Sequence, residues 1–320
     1  MKHKYLINLL DPADYLSVSQ MFNPETGALE EDQRIISLPE GPHQMFDFVD
    51  TIMYGTARYH EHSVGWETFF ITTGCCDLTI RGKTCRLVPG DIIHIQPWIG
   101  HQMSFPEPTV YRGIFHDINM SGTLRNLAYI REVNPKQLEG LASFQRYLMR
   151  ADNIIRETPV SVRVDKSEVP EVRSPDRPLR VFELEGVTMK QYTGRWENNG
   201  LTELWKAEME DGFTVEYYDD NPNTDMFYII EGDVRFKVAG EEFTATNDCI
   251  VKIPGYAPRS FTAQGKAVMF DLAGLTHWLD LLEDCASIKT NNPARLNDRD
   301  AMAALKEKYN CRVASFGIKK

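Results

Sequence analysis

Three histidines and a glutamate stand at spacings that could build a metal site. His60-Glu61-His62, Glu67 and Gly74 fall in one stretch, and Gly90-Asp91 followed by Pro97-Trp98-Ile99-Gly100-His101 falls in a second. Imidazole nitrogens and one carboxylate oxygen are the donors that a divalent first-row transition metal prefers. Two histidines alternating on a strand are more often an accident of core or surface than a metal site. Four donors together, with turn glycines between them, set this run apart from that background.

The elements that must position them follow from strand geometry. Alternate side chains of a strand share a face, so His60 and His62 point inward while Glu61 points out. Glu67 is out of step with one continuous strand, but Ser63-Val64-Gly65-Trp66 supplies a turn, after which Thr68-Phe69-Phe70-Ile71-Thr72 reads as a second strand. Glu67 then opens that strand on the same interior. A Pro89 to Asp91 turn, the strand Ile92-Ile93-His94-Ile95 and a Pro97 to Gly100 turn bring His101 back on a neighbouring strand. Donors from three strands converge, leaving about two positions of an octahedral shell for water, oxygen or substrate.

The segment from Gly55 to Phe105 resembles the two motifs of the cupin superfamily, with all four ligand positions filled. The resemblance implies His60, His62, Glu67 and His101 as the ligands. It also implies manganese or iron as the usual metal, with nickel, zinc, cobalt and copper known in the family.

Composition bounds the rest. A chain of 320 residues suggests two domains or one large one, and a hydrophobic share of 42% with 11% aromatics suits buried, β-rich cores. Lys plus Arg is 35 against 46 Asp plus Glu, a formal charge of −11. Nucleic acid and anionic membranes are therefore poor partners, and solubility is the plain reading of the acidity. No apolar run has the length of a membrane span, and Tyr5 to Leu10 is too short for a signal-peptide core. Cys75, Cys76, Cys85, Cys249, Cys285 and Cys311 show no CxxC spacing and read as reduced thiols of a cytoplasmic protein.

The chain repeats itself. Phe69 to Gly74 is matched by Phe227 to Gly232, and Pro89 to Ile95 is echoed by Thr246 to Ile253. A separation of about 157 residues fits duplication of a whole domain rather than a solenoid. Short strands bounded by Gly, Pro, Asn and Asp argue for a mainly all-β fold of two β-barrels or jelly rolls, with connecting and C-terminal helices. The resemblance, good over residues 45–118 and weaker over 200–275, implies a bicupin. The expected divisions are an N-terminal arm with a metal-binding barrel (1–120), a helical connector and linker (121–178), a degenerate barrel (179–276) and a helical extension (277–320). Leu124, Leu127, Ile130, Leu138, Leu141, Phe144 and Leu148 recur at helical spacing in the connector. Residues 156–178, charged and Pro-containing, read as a linker or arm. A C-terminal helix runs from Leu296-Asn297-Asp298 to about Tyr309, with Asp298 as its N-cap.

The second half lacks the ligand set. Counting back from Gly232 puts Asp225 at the carboxylate position, Tyr218 and Asp220 at the first two histidine positions, and Arg259 at the last. Arg259 opposes a cation electrostatically, so a structural barrel with an internal Asp–Arg pair is the expectation.

Around the first site, regular strand parity places Tyr54, Thr56 and Arg58 on the face of His60. Arg58 is the candidate catalytic residue, able to hold a substrate carboxylate or phosphate by a bidentate contact, unless a bulge turns it to solvent. Met103 and Phe105 share the parity of His101. Trp66 and Trp98, in the flanking turns, are rim candidates, although plain packing is the default for large aromatics. His94 is expected outside the barrel. His116 reads as a hydrogen-bonded histidine or a base behind the ligands.

A site of this kind serves several chemistries. Bicupins with one live site resemble aromatic-acid and flavonol dioxygenases, so the leading expectation is a dioxygenase acting on a small, polar, metal-chelating molecule. The alternative is an isomerase, lyase or decarboxylase that stabilises an enediolate. A non-catalytic small-molecule-binding cupin is the third. The resemblance also allows a homodimer paired through strand exchange or helical arms.

Overall fold

Runs in which apolar side chains alternate with polar ones form strands through both halves. In Val234-Arg235-Phe236-Lys237-Val238 the valines and the phenylalanine are buried and the two cations exposed. The computed structural model describes residues 3–11, 16–21, 30–37, 46–116, 126, 129–130, 132–138, 149, 152–198, 200, 202–218, 224–272, 277–309 and 315–318. Two units emerge, Asp11–Arg177 and a second made of Met1–Leu10 with Pro178–Lys320.

In chain order the strands begin with β1 (Leu6–Asn8), β2 (Leu16–Met21), β3 (Glu30–Ser37), β4 (Phe46–Thr56), β5 (His60–Glu61) and β6 (Trp66–Thr73). They continue with β7 (Cys76–Ile80), β8 (Lys83–Leu87), β9 (Ile92–Ile95), β10 (His101–His116), β11 (Ile154–Ile155), β12 (Val162–Arg163) and β13 (Val172–Arg173). β2 to β13 form one twelve-stranded sheet whose main path is β12-β8-β7-β10-β4-β3-β2. β10 is its spine: the first part pairs with β7 and meets β5 at His101↔His60, and the later part pairs with β6. Its pairing with β4 shifts register between Phe105 and Thr109. Pro106 and Pro108 lie in that shift, where a residue without an N–H cannot continue the ladder.

Within residues 121–178, expected as a helical connector and linker, three short strands join this sheet. β11 pairs with β5, β12 with β8 and β13 with β9. The core below contains Phe69, Phe105, Tyr111 and Phe115, with Phe69 edge-on to Tyr111 and Phe115 and Phe105 stacked on Tyr111.

The second unit holds β14 (Arg180–Leu184), β15 (Val187–Thr193), β16 (Leu204–Met209), β17 (Phe213–Tyr217), β18 (Asp225–Val238), β19 (Glu241–Ala245), β20 (Cys249–Ile253), β21 (Arg259–Asp271) and β22 (Ser315–Ile318). Its sheet runs β1-β20-β18-β21-β16-β15-β14, with β17, β19 and β22 joining at the side. β1 departs from the sequence expectation, which kept the N-terminal segment with the first barrel. Leu6, Ile7 and Asn8 pair with Val251, Ile250 and Cys249, because the open edge of β20 takes up a strand whatever its place in the chain. The barrel interior packs Phe227, Phe236 and Phe261 with Trp278 of α1 (His277–Asn291). The C-terminal helix α2 (Arg299–Lys308) starts where expected, the Asp298 carboxylate accepting the Asp300 and Ala301 amides. Of the connector's helical positions only Ile130 and Leu138 lie within the described residues, Ile130 in a helix and Leu138 ending a 3-10 turn; Leu124, Leu127, Leu141, Phe144 and Leu148 lie outside them.

Among the described residues no helix is long and apolar enough to cross a membrane.

Candidate metal centre

β5 is a strand of two residues, yet it carries the site because it is held on both sides. His60 stands opposite His101 across one edge and opposite Ile155 across the other. Glu61 turns away from the histidines and pairs with Arg156 at 2.6 Å, as alternation requires. Glu67 is the second residue of β6, between Ile95 of β9 and Phe115 of β10, and both neighbours belong to the core.

His60, His62, Glu67 and His101 each present one donor atom, and the four atoms lie within 4.8 Å of one another. His62, Glu67 and His101 are buried; His60 is half-buried. The Nε2 atoms of His62 and His101 stand 3.0 Å from Oε1 and Oε2 of Glu67. Donors about 2.1 Å from one ion and at right angles stand about 3 Å apart, so this spacing suits a shared cation.

Each imidazole is fixed from behind. His60 Nδ1 lies 2.8 Å from the Arg58 carbonyl, His62 Nδ1 2.8 Å from the Asp152 carbonyl, and His101 Nδ1 3.0 Å from the Ile99 carbonyl. A carbonyl only accepts, so each Nδ1 carries the proton and donates it, leaving the Nε2 lone pair facing inward. His62 Nε2, His101 Nε2 and Glu67 Oε2 are enclosed and make no hydrogen bond. Enclosed polar atoms that make no hydrogen bond are costly, and a metal ion would satisfy all three at once. The donor set fits a divalent transition metal.

Burial and the groups' own charges set the ionisation of the cluster. Burial and the two neighbouring imidazoles push His60 down to about 3, so it is neutral and able to ligate. Burial works against the charged forms of His62 and Glu67, yet their mutual attraction outweighs it. The His62 imidazole is raised, and the Glu67 carboxyl is held well below its ordinary range by His62 and His101.

The sequence pointed to all four donors but not to what holds them. Asp152, in the left-handed conformation at φ 59°, supplies the carbonyl behind His62. Its carboxylate also accepts the amides of Ser63, Val64 and Gly65, and the Ser63 hydroxyl. Burial opposes ionisation of Asp152, but those hydrogen bonds hold its carboxyl below the usual value. Spacing carries no sign of this contact, since the two residues are 90 positions apart.

Other expectations fare unevenly. Tyr54 and Thr56 are exposed rather than inward, because β4 ends at Thr56 and the strand does not continue to His60. Arg58, in that break, is half-buried with Nη2 enclosed. Met103 and Phe105 are buried in the barrel core. Trp66 is buried in β6, whereas Trp98 is 61% exposed at φ 64°, its amide donating to the His62 carbonyl at 2.7 Å. His94 faces away from the inward Ile93 and Ile95 as expected, yet it is covered, with Nδ1 2.9 Å from the Thr68 hydroxyl. His116 is buried, and burial together with His94 lowers it to about 3.

In the second unit, Asp225 and Arg259 meet inside the barrel as an ion pair of 2.6 Å. The tyrosine that joins them is Tyr217, whose hydroxyl donates to Asp225 at 2.6 Å. Tyr217 is the inward residue at the end of β17, one position before Tyr218, which the repeat count places at the first histidine position. Asp220 lies outside the described residues.

The cupin domain family matches residues 51–114. No curated protein matches by sequence. Among solved structures the chain is similar to a tryptophan-to-tyrosine variant of the oxalate decarboxylase of Bacillus subtilis, with 15% identity, TM-score 0.54, and coverage of 98% of this chain and 89% of that one. A second B. subtilis oxalate decarboxylase structure, from work on its Mn(II) centers, aligns with 15% identity, TM-score 0.55, and coverage of 100% and 90%. The formate complex of the Lactobacillus farciminis enzyme aligns with 14% identity, TM-score 0.52, and coverage of 96% and 97%. At these identities the likeness is one of fold.

Proposed function

We propose that this chain, a cupin domain set in a bicupin fold, is a metal-dependent enzyme acting on a small, metal-chelating organic acid, by decarboxylation or related lyase chemistry. The observation that carries this reading is the convergence of three back-tethered imidazoles and Glu67 on one point. A divalent ion, when bound, supplies a Lewis acid that polarises chelating oxygens. The protein's own part is orientation and exclusion of water. The carbonyls of Arg58, Asp152 and Ile99 set the imidazole faces, and the burial of His62, Glu67 and His101 lowers the local dielectric. Arg58 is the proposed anchor for a substrate carboxylate, by a bidentate guanidinium contact.

Decarboxylation is placed first because solved structures that align over nearly the whole chain are oxalate decarboxylases. For oxalate as test substrate, the carbon–carbon bond breaks, carbon dioxide leaves and a proton takes its place to give formate. Manganese is the proposed ion, as in the Mn(II) centers named for that neighbour.

A dioxygenase is the second reading, favoured by the confinement of the donor set, among the described residues, to one barrel. The full chain loaded with Mn²⁺ or Fe²⁺ and supplied with oxalate and with 2-oxo and 2-hydroxy acids separates the two. Carbon dioxide released with no net oxygen consumption supports the first, and stoichiometric oxygen uptake supports the second. Binding of these acids without turnover of any would overturn both.

A further inference from the structure

The segment from Asp152 to Arg156 lies far along the chain from the metal ligands, yet it touches the ligand hairpin from end to end. The Asp152 carbonyl takes the His62 Nδ1 proton at 2.8 Å. Its carboxylate accepts Ser63 N at 2.9 Å, Val64 N at 3.0 Å and Gly65 N at 3.3 Å. Beyond it, Ile154 pairs with Glu61 and Ile155 with His60. The Arg156 amide donates to the Tyr59 carbonyl at 2.9 Å, and the Arg156 side chain meets Glu61.

We infer that Asp152 is a positioning residue for metal binding, holding His62 through its carbonyl and the turn that sets Glu67 opposite His62 through its carboxylate. The assignment rests on the metal reading given above. Ser63, Val64 and Gly65 are the turn between β5 and β6, so their conformation decides how Glu67 faces His62. Three amides directed at one carboxylate form a small anion nest, which fixes that turn before any ion arrives. The φ of 59° at Asp152 suits an Asp, Asn or Gly far better than most residues. That strained conformation is what lets one residue aim its carbonyl at His62 and its carboxylate at Ser63. Loss of the carboxylate frees the turn and loosens the carbonyl behind His62, while all four ligands remain.

The test is Mn²⁺ uptake by the full apo chain, read from the free-ion EPR signal, alongside the apo melting midpoint. Asp152→Gly keeps the carbonyl and the backbone freedom but removes the carboxylate. It is expected to weaken Mn²⁺ binding by about 10- to 100-fold, the range for residues that orient ligands. Asp152→Asn keeps one acceptor for the turn, and intermediate weakening is expected. His62→Ala should bind no ion at this site. Wild-type affinity in Asp152→Gly, with His62→Ala inactive in binding, overturns the role of Asp152 and leaves the metal site standing. If the Gly variant does not fold, wild-type affinity in Asp152→Asn overturns it equally. A lowered apo melting midpoint with unchanged Mn²⁺ affinity marks Asp152 as merely structural and also overturns the proposal. A wild-type chain that takes up no Mn²⁺ overturns the metal reading itself, and this assignment with it.

Discussion

Arg259 Nε lies 2.6 Å from Asp225 Oδ2 inside the second barrel, in the repeat positions that Glu67 and His101 occupy in the first. The correspondence is detailed. Glu67 and Asp225 precede Gly74 and Gly232 by the same interval, and both glycines have positive φ, 77° and 78°. His101 and Arg259 each open a long strand, and each donates to the carbonyl two residues back, Ile99 and Ala257. Trp98 and Tyr256, three residues before them, share the left-handed conformation at 64° and 61°. Where the first barrel collects lone-pair donors around a point, the second puts a fixed guanidinium against the carboxylate. The Tyr217 ring lies 4.7 Å from that guanidinium, and burial and then Asp225 raise the Tyr217 hydroxyl well above its usual pKa. The second barrel thus meets its buried carboxylate with a cation carried by the chain.

Metal content should therefore be one ion per chain. His60→Ala and His62→Ala are each expected to lose it, and Asp225→Ala to keep it. Elemental analysis of protein isolated without added ions is the check; a full complement in either histidine variant would count against the ligand assignment.

Arg259→Met leaves Asp225 buried without its countercharge. Breaking a buried pair from one side costs about 3–5 kcal/mol. Removing both charges with Asp225→Leu added should recover most of that loss. Urea denaturation of the single and double variants measures both, and equal stability of the two would show that the charges do not interact.

A Cβ on Gly232 would stand 2.3 Å from the Lys266 carbonyl oxygen, with φ at 78°. Gly240 also has positive φ, 87°, but open space around it. Gly240→Ala should therefore cost about 1 kcal/mol, the conformational penalty alone. Gly232→Ala should cost several times more, because backbone must move. Matching shifts in thermal midpoint would refute the close-approach argument.

His116 gives the acid response a sign. Its folded value, about 3, lies below the ordinary 6.5. As pH falls below about 6.5 the unfolded chain takes up this proton and the folded chain does not, so stability is lost down to about pH 3. The slope from this group is at most about 1.4 kcal/mol per pH unit. His116→Gln should flatten the stability profile between pH 6 and 4.5 by roughly that amount, and an unchanged profile would mean that His116 is protonated in the folded chain.

Arg58→Ala tests the proposed carboxylate anchor. KM for an acid substrate should rise by about 10- to 100-fold, the loss of a charge-assisted contact. Metal content should hold, because the carbonyl behind His60 belongs to the backbone. An unchanged KM would remove Arg58 from the substrate site.

The four ligands were legible in the chain because their placement follows local rules. A period of two puts His60 and His62 on one face, and turns rich in Gly and Pro reset the direction for Glu67 and His101. The same rules revealed the repeat, and with it the exchange of a ligand set for an Asp–Arg pair. Alternation also fails locally: Tyr54 and Thr56 lost the face of His60 because the strand breaks between them and the histidine, and parity does not survive a break. Tertiary structure alone decided that Leu6 to Asn8 complete the second sheet, that Tyr217 reaches Asp225, and that Asp152 stands behind His62. Each depends on which edge or carbonyl remains unpaired once a barrel closes. That is a property of the assembled sheet, and no spacing along the chain encodes it.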